Sequence, residues 1–264
     1  MDSPPDPSSH RPPEPPREPI LTLPGPLTAY IGLLAVIHVL WSSVPPDLEY
    51  WIIEAFGFIP KRYDPSLLAT AFPGGSGAKV WTFVTYSLLH ANLSHIGFNI
   101  LWLLPFGSAL ARRFGGVRFF LFMAVAAVAG AVAHLVTHEH SIAPMIGASG
   151  SVSGAMAAAI RFAFAQGSFL SFGRGDADAA AQVPALSLTR ALQNPRVLAF
   201  LAVWFGINII FGMGSVAIGA EPGSVAWQAH MGGFMAGLLL FSLFDPVPRP
   251  ARDADDASSG ADHV

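Results

Sequence analysis

Six apolar runs, each near the ~20 residues that a helix needs to cross ~30 Å of hydrocarbon, set what this chain can fold into. They extend roughly from Leu27 to Val44, Trp81 to Leu104, Val117 to Val136, Ile146 to Ala165, Val197 to Met213 and Val225 to Phe244. Only 12% of the 264 residues are charged, against 52% hydrophobic. A soluble domain of this size carries about twice that share of charge. The expected fold class is an all-α polytopic membrane protein with six transmembrane helices.

The flanks divide the chain into three parts. Residues 1–26, dominated by proline with mixed charge, form neither a helix nor a core and are expected to be a disordered tail. They lack the basic start, apolar centre and cleavage site of a signal peptide. Residues 27–245 make the six-span domain, and residues 246–264 a second disordered tail. Three of the 14 basic residues, Lys61, Arg62 and Lys79, fall on one side of the expected spans and the rest on the other. The positive-inside rule then puts both termini in the cytoplasm, as expected of a multi-pass protein of a bacterial inner membrane. A net charge of -3 without a basic cluster argues against nucleic acid, and the absence of cysteine excludes disulfides and thiolate metal sites. The outer segment Pro45 to Lys79, rich in aromatics, reads equally well as an interfacial amphipathic segment or as a folded loop. Asp176 to Asn194 reads as a mobile connection.

Polar groups at membrane depth are costly, so each is a functional hypothesis. The second run carries "HANLSHIGFN", with His90, Asn92, His95 and Asn99; His95 and Asn99 share one helical face. The fourth begins "GASGSVSG", with Gly147, Ser149, Ser151 and Ser153. The sixth holds "AHMGGFMAG", with His230. Given the orientation, His95, Ser149 and His230 all lie in the outer half of the membrane. Gly150 and Gly154 make one G-xxx-G step, Gly233 and Gly237 another, and such faces let helix backbones approach closely in lipid. That approach would bring the Ser149 hydroxyl to the His230 imidazole, which can take its proton and return it to a leaving amine. No Asp or Glu lies in the second, fourth or sixth run, so the chemistry would be that of a Ser-His pair. His95, Asn99 and the Ser149 amide, near a helix N-terminus, are the candidate oxyanion donors. Ser151 and Ser153 read as packing residues. A competing reading is a metal or proton transporter built on His90, His95, His134, His138 and His140, against which stands the lack of carboxylates in the spans.

These three blocks, in this order on a six-span scaffold, resemble the rhomboid family of intramembrane serine proteases. The resemblance implies Ser149 as nucleophile, His230 as general base, an oxyanion hole of His95, Asn99 and the Ser149 amide, and a structural role for His90. It implies transmembrane protein substrates in a lipid bilayer, locally unwound and cut near their outer end after a small residue. No cofactor, metal or nucleotide is implied. A non-catalytic rhomboid-like binder of transmembrane clients is the alternative, but such a protein is expected to lack the serine or the histidine. Three positions depart from the family's habits: Thr82 follows Trp81 where arginine is common, Ala111 replaces the acid of a Glu-x-Arg, and Ser153 replaces an aromatic under the histidine. Phe98 and Trp204 are then the candidate surfaces for His230.

Overall fold

The computed structural model describes residues 23–66, 72–164, 177–212 and 226–248. The tail up to residue 22, the tail beyond 248, the ends of the fourth and fifth apolar runs and the first residue of the sixth lie outside the described residues. The described chain is helical, and its one β pairing is an isolated bridge between Phe58 and Met145. In order come α1 (Gly25–Trp41), α2 (Pro46–Phe56), α3 (Gly75–Thr85), α4 (Leu93–Trp102), α5 (Ser108–Thr137), α6 (Ser149–Ala159), α7 (Ala177–Ala181), α8 (Leu188–Gln193), α9 (Pro195–Gly212) and α10 (Trp227–Phe244). The stretch Leu93–Thr137 is long and apolar enough to cross a membrane, and Gly25–Trp41 and Pro195–Ile210 are shorter apolar helices. Gly115, at φ +69°, interrupts that stretch. About 22 residues lie on either side, each rising ~33 Å.

The second apolar run is not one helix. Thr85 ends α3, a 3₁₀ turn covers Tyr86–Leu88, Leu89 is extended, and α4 starts only at Leu93. Asn92 makes the break. Its side chain accepts from the His95 amide at 2.9 Å, capping α4 and satisfying a donor that an uninterrupted helix would have bonded internally. His90 therefore sits in a loop, and Trp81 belongs to the outer segment. At the other end, Pro105 has no amide to give to the ladder, and the chain widens into a π-turn over Leu103–Gly107.

The outer segment is anchored at several points. α2 leaves Leu48, Tyr50 and Trp51 exposed, while the Trp81 indole donates to the Ala55 carbonyl at 2.8 Å and the Thr85 hydroxyl to that of Phe56 at 2.7 Å. Arg62, 3% exposed, donates to the carbonyls of Glu54 and Pro73. An arginine within the segment thus ties it down, while Thr82, after Trp81, bonds Tyr63 at 3.0 Å. Phe58 and Met145 exchange two backbone bonds of 3.0 and 2.8 Å, joining the segment to the chain just ahead of Ser149.

At the centre stands α6, whose residues from Gly150 to Ala159 are all buried. α10 crosses it with no side chain between the backbones: a Cβ on Gly233 would stand 2.0 Å from the Gly150 carbonyl oxygen, and one on Gly237 2.0 Å from that of Gly154. α5 closes the third side, with the Ala126 methyl 2.6 Å from a Cβ placed on Gly154.

At the end of the bundle away from Ser149, Arg113 holds several elements together. Its buried guanidinium makes a bidentate pair with Asp245 (2.8 and 3.0 Å) at the end of α10. It also donates to the carbonyls of Ala181 and Val183 and lies 4.5 Å from the Phe162 ring centre. Arg161 donates to Leu186 at 2.9 Å. The expectation of a mobile connection over Asp176 to Asn194 is thereby corrected: from Ala177 onward it folds into α7 and α8, where two buried arginines, each with several donors to satisfy, take backbone carbonyls from this stretch. Asp245 supplies from 132 residues away the acid that Ala111 does not.

Two outcomes are expected in thermal unfolding of the micelle-solubilised protein. Gly237→Ala destabilises by about 1–3 kcal/mol or more, since the backbones must part, whereas Gly206→Ala, with open space around its added carbon, is neutral or slightly stabilising. Asp245→Ala leaves a buried guanidinium without its partner and costs about 3 kcal/mol or more.

Candidate active site

The turn into α6 is held from both sides. Gly147 has φ +120°, and a Cβ there would meet the His95 Nε2 at 2.6 Å, so only glycine fits. Its amide donates to the Tyr86 carbonyl at 2.9 Å. The Ala148 amide donates to the Nε2 of the fully buried His90 at 3.3 Å. His90 is thus a fixture of the turn that presents Ser149, the first residue of α6.

Three serines then take three different partners. Ser151 donates to the Met123 carbonyl at 2.9 Å and Ser153 back to the Ser149 carbonyl at 2.8 Å. Both are buried and serve the backbone. The Ser149 Oγ lies 2.8 Å from the Nε2 of His230. His95, Ser149 and His230 all fall within the first four residues of their helices, α4, α6 and α10.

The second imidazole nitrogen has a partner that the sequence reading did not single out. His230 Nδ1 is 2.7 Å from the Oδ1 of Asn208 on α9, and the Asn208 Nδ2 donates to the Trp204 carbonyl at 2.8 Å. Of the two rings expected to support His230, Phe98 is 64% exposed and turned outward, while Trp204 is buried and stacked on Phe234 at 4.4 Å. Trp204 reaches the histidine through its carbonyl and Asn208. A polar residue in the apolar stretch "FGINIIFG" was the available signal.

His95 packs over Gly147, and its ring meets that of His90 edge-on at 5.1 Å. The buried Asn99 side chain donates to the His95 carbonyl at 2.9 Å, which leaves one of its two amide hydrogens for another acceptor. Asn92, which caps α4, borders an open cavity of about 490 Å³ shared with His38, Ser42 and Ala91. His38, a buried histidine on α1, was not among the expected site residues. As for the transporter reading, His134 and His138 stack at 4.5 Å, and no group of three metal-type ligands exists among the described residues.

Comparison with known proteins agrees with the family resemblance. The family model of the rhomboid domain matches residues 77–245. The rhomboid protease GlpG of Photorhabdus laumondii is 26% identical over 226 residues, covering 84% of this chain and 62% of its own. The chain thus spans less than two thirds of that relative's length. Over a shorter stretch, the rhomboid protease GluP of Bacillus subtilis is 35% identical across 78 residues, 30% of this chain and 15% of its own. The human rhomboid-related protein 3 is 36% identical across 75 residues, 28% of this chain and 18% of its own. With more than half of its residues inside the matched domain, the chain belongs to the rhomboid family.

Proposed function

We propose that this protein is an intramembrane serine endopeptidase that hydrolyses peptide bonds in or near transmembrane segments of other membrane proteins, with Ser149 and His230 as its catalytic pair. The observation that carries the reading is the 2.8 Å approach of His230 Nε2 to the Ser149 Oγ, while the two neighbouring serines are bonded to backbone. The names of its relatives, rhomboid proteases from several bacteria, support it. The protein crosses a bacterial inner membrane six times, with both termini in the cytoplasm and the pair in the outer half.

In this mechanism the Ser149 Oγ attacks the scissile carbonyl carbon while His230 Nε2 takes the hydroxyl proton. The carbonyl oxygen becomes an oxyanion and takes hydrogen bonds from the Ser149 amide, His95 and the remaining Asn99 N–H. The first turn of α6 adds its positive dipole end, which suits this charge. As the intermediate collapses, the C–N bond breaks and the amine leaves with the proton held by His230. Water then enters, gives a proton to His230 and its oxygen to the acyl carbon, and Ser149 recovers its hydrogen. A substrate helix hides its peptide bonds in its own ladder, so it must unwind locally to present one. Metal and nucleotide have no part in this scheme.

Cleavage of a single-span substrate in proteoliposomes tests the reading. Ser149→Ala and His230→Ala should each lower the rate by about 10³-fold or more, with Ser153→Ala within about threefold of wild type. A fluorophosphonate should label the wild type at Ser149. Retained cleavage by Ser149→Ala overturns the assignment; client binding with neither cleavage nor labelling turns it toward a non-catalytic binder.

A further inference from the structure

We infer that Asn208 is a third member of the Ser149–His230 unit, a positioning residue that holds His230 in the one tautomer able to act as base. The inference rests on the proposed roles of Ser149 and His230 and adds to them the device that prepares the histidine.

The direction of each hydrogen bond follows from what its ends can do. The Trp204 carbonyl only accepts, so the group 2.8 Å from it must be the amide nitrogen of Asn208. The amide oxygen then faces His230 Nδ1 at 2.7 Å, and since that oxygen also only accepts, Nδ1 carries the imidazole proton. Nε2 is left with its lone pair toward the Ser149 hydroxyl at 2.8 Å. In the opposite tautomer, Nε2–H would point at Ser149 and Nδ1 would face an oxygen with no proton between them. Three bonds thus run head to tail from Ser149 through His230 and Asn208 to the α9 backbone, each polarising the next in a setting of low dielectric. Asn208 is 8% exposed, so water does not compete for the amide.

A neutral amide does part of the work that a carboxylate does in a Ser-His-Asp triad. It fixes ring and tautomer, and its dipole helps the imidazolium that forms when Ser149 loses its proton, without contributing a full negative charge. The other described side chain bonded to His230 is Ser149 from α6, and the titratable His95 lies nearby on α4. Next to His230, α5 brings Ala129, Gly130 and Ala133 against Ala229 and Gly232, none of which titrates, and the Tyr86 hydroxyl stands beside Gly130 and Gly150. Among the described residues, no carboxylate is bonded to His230.

The inference separates Asn208 from an ordinary interhelical packing residue. In reconstituted protein, Asn208→Leu, close in shape and unable to accept, should lower kcat by about 10²–10⁴-fold with KM changed by less than about threefold. Asn208→Asp should keep activity well above Asn208→Leu. It should also move the acid limb of the kcat/KM profile to higher pH, because an adjacent carboxylate favours the protonated imidazole. ¹⁵N-histidine NMR of the wild type should show His230 as the Nδ1–H tautomer, a measurement that needs no variant to fold. An Nε2–H signal overturns the inference, as does an Asn208→Leu protein with wild-type kcat and pH profile. If instead Ser149→Ala cleaves as well as wild type, it is the underlying Ser149–His230 reading that fails.

Discussion

Backbone-to-backbone contact between α6 and α10 governs the rest of the structure. The Gly150 carbonyl meets Gly233 and the Gly154 carbonyl meets Gly237, with no room for a methyl group at either crossing. In lipid there is little hydrophobic drive to press two helices together, and close approach through small residues takes its place. The first crossing lies one residue from Ser149 and three from His230. The separation of the two backbones therefore sets the hydroxyl-to-imidazole distance directly. A shift of about 1 Å there would carry a 2.8 Å bond beyond hydrogen-bonding range.

The crossing is held from both ends. Away from Ser149, the Arg113–Asp245 pair ties the start of α5 to the end of α10 and gathers the chain around Ala181 and Val183. On the Ser149 side, the Phe58–Met145 bridge and the Gly147 bond to Tyr86 fix the turn into α6. Buried polar networks of this kind tolerate no half-satisfied member, because an unpaired group in low dielectric is expensive. Between these two anchors lie the first turns of α4, α6 and α10, where free helix-end amides and side-chain donors converge.

Much of this arrangement was legible because its signals are local. The glycine pairs, the small residues around Ser149 and the histidines of the second and sixth runs stand out against an apolar background. What escaped depended on geometry that hydropathy does not register. A window over Trp81 to Leu104 sees apolar residues and averages over Asn92, whose cap ends one element and starts another. Asp245 lies 132 residues from Arg113, so nothing near either residue announces the pair. The stretch from Ala177 to Gln193 looks polar and loose until its carbonyls are seen to serve two arginines distant in sequence. Asn208 carried a signal, a lone amide among apolar neighbours, but it lies on a helix without a glycine ridge or a second polar residue beside it. Its meaning appears only when His230 is found across from it.

The burial of α6 on every side bears on how its sequence can vary. A helix that faces lipid is constrained in polarity and comparatively free in size, since acyl chains rearrange around it. α6 is under the reverse constraint. Its surroundings are helices rather than hydrocarbon, so serines are admitted wherever a carbonyl stands within reach, as at Ser151 and Ser153. Volume, by contrast, is fixed at every turn by packed neighbours. Along the helix that carries Ser149, alanine and serine exchange most readily where a carbonyl is in reach, Gly154 admits not even a methyl, and a leucine, the most ordinary residue of a membrane span, is the intruder.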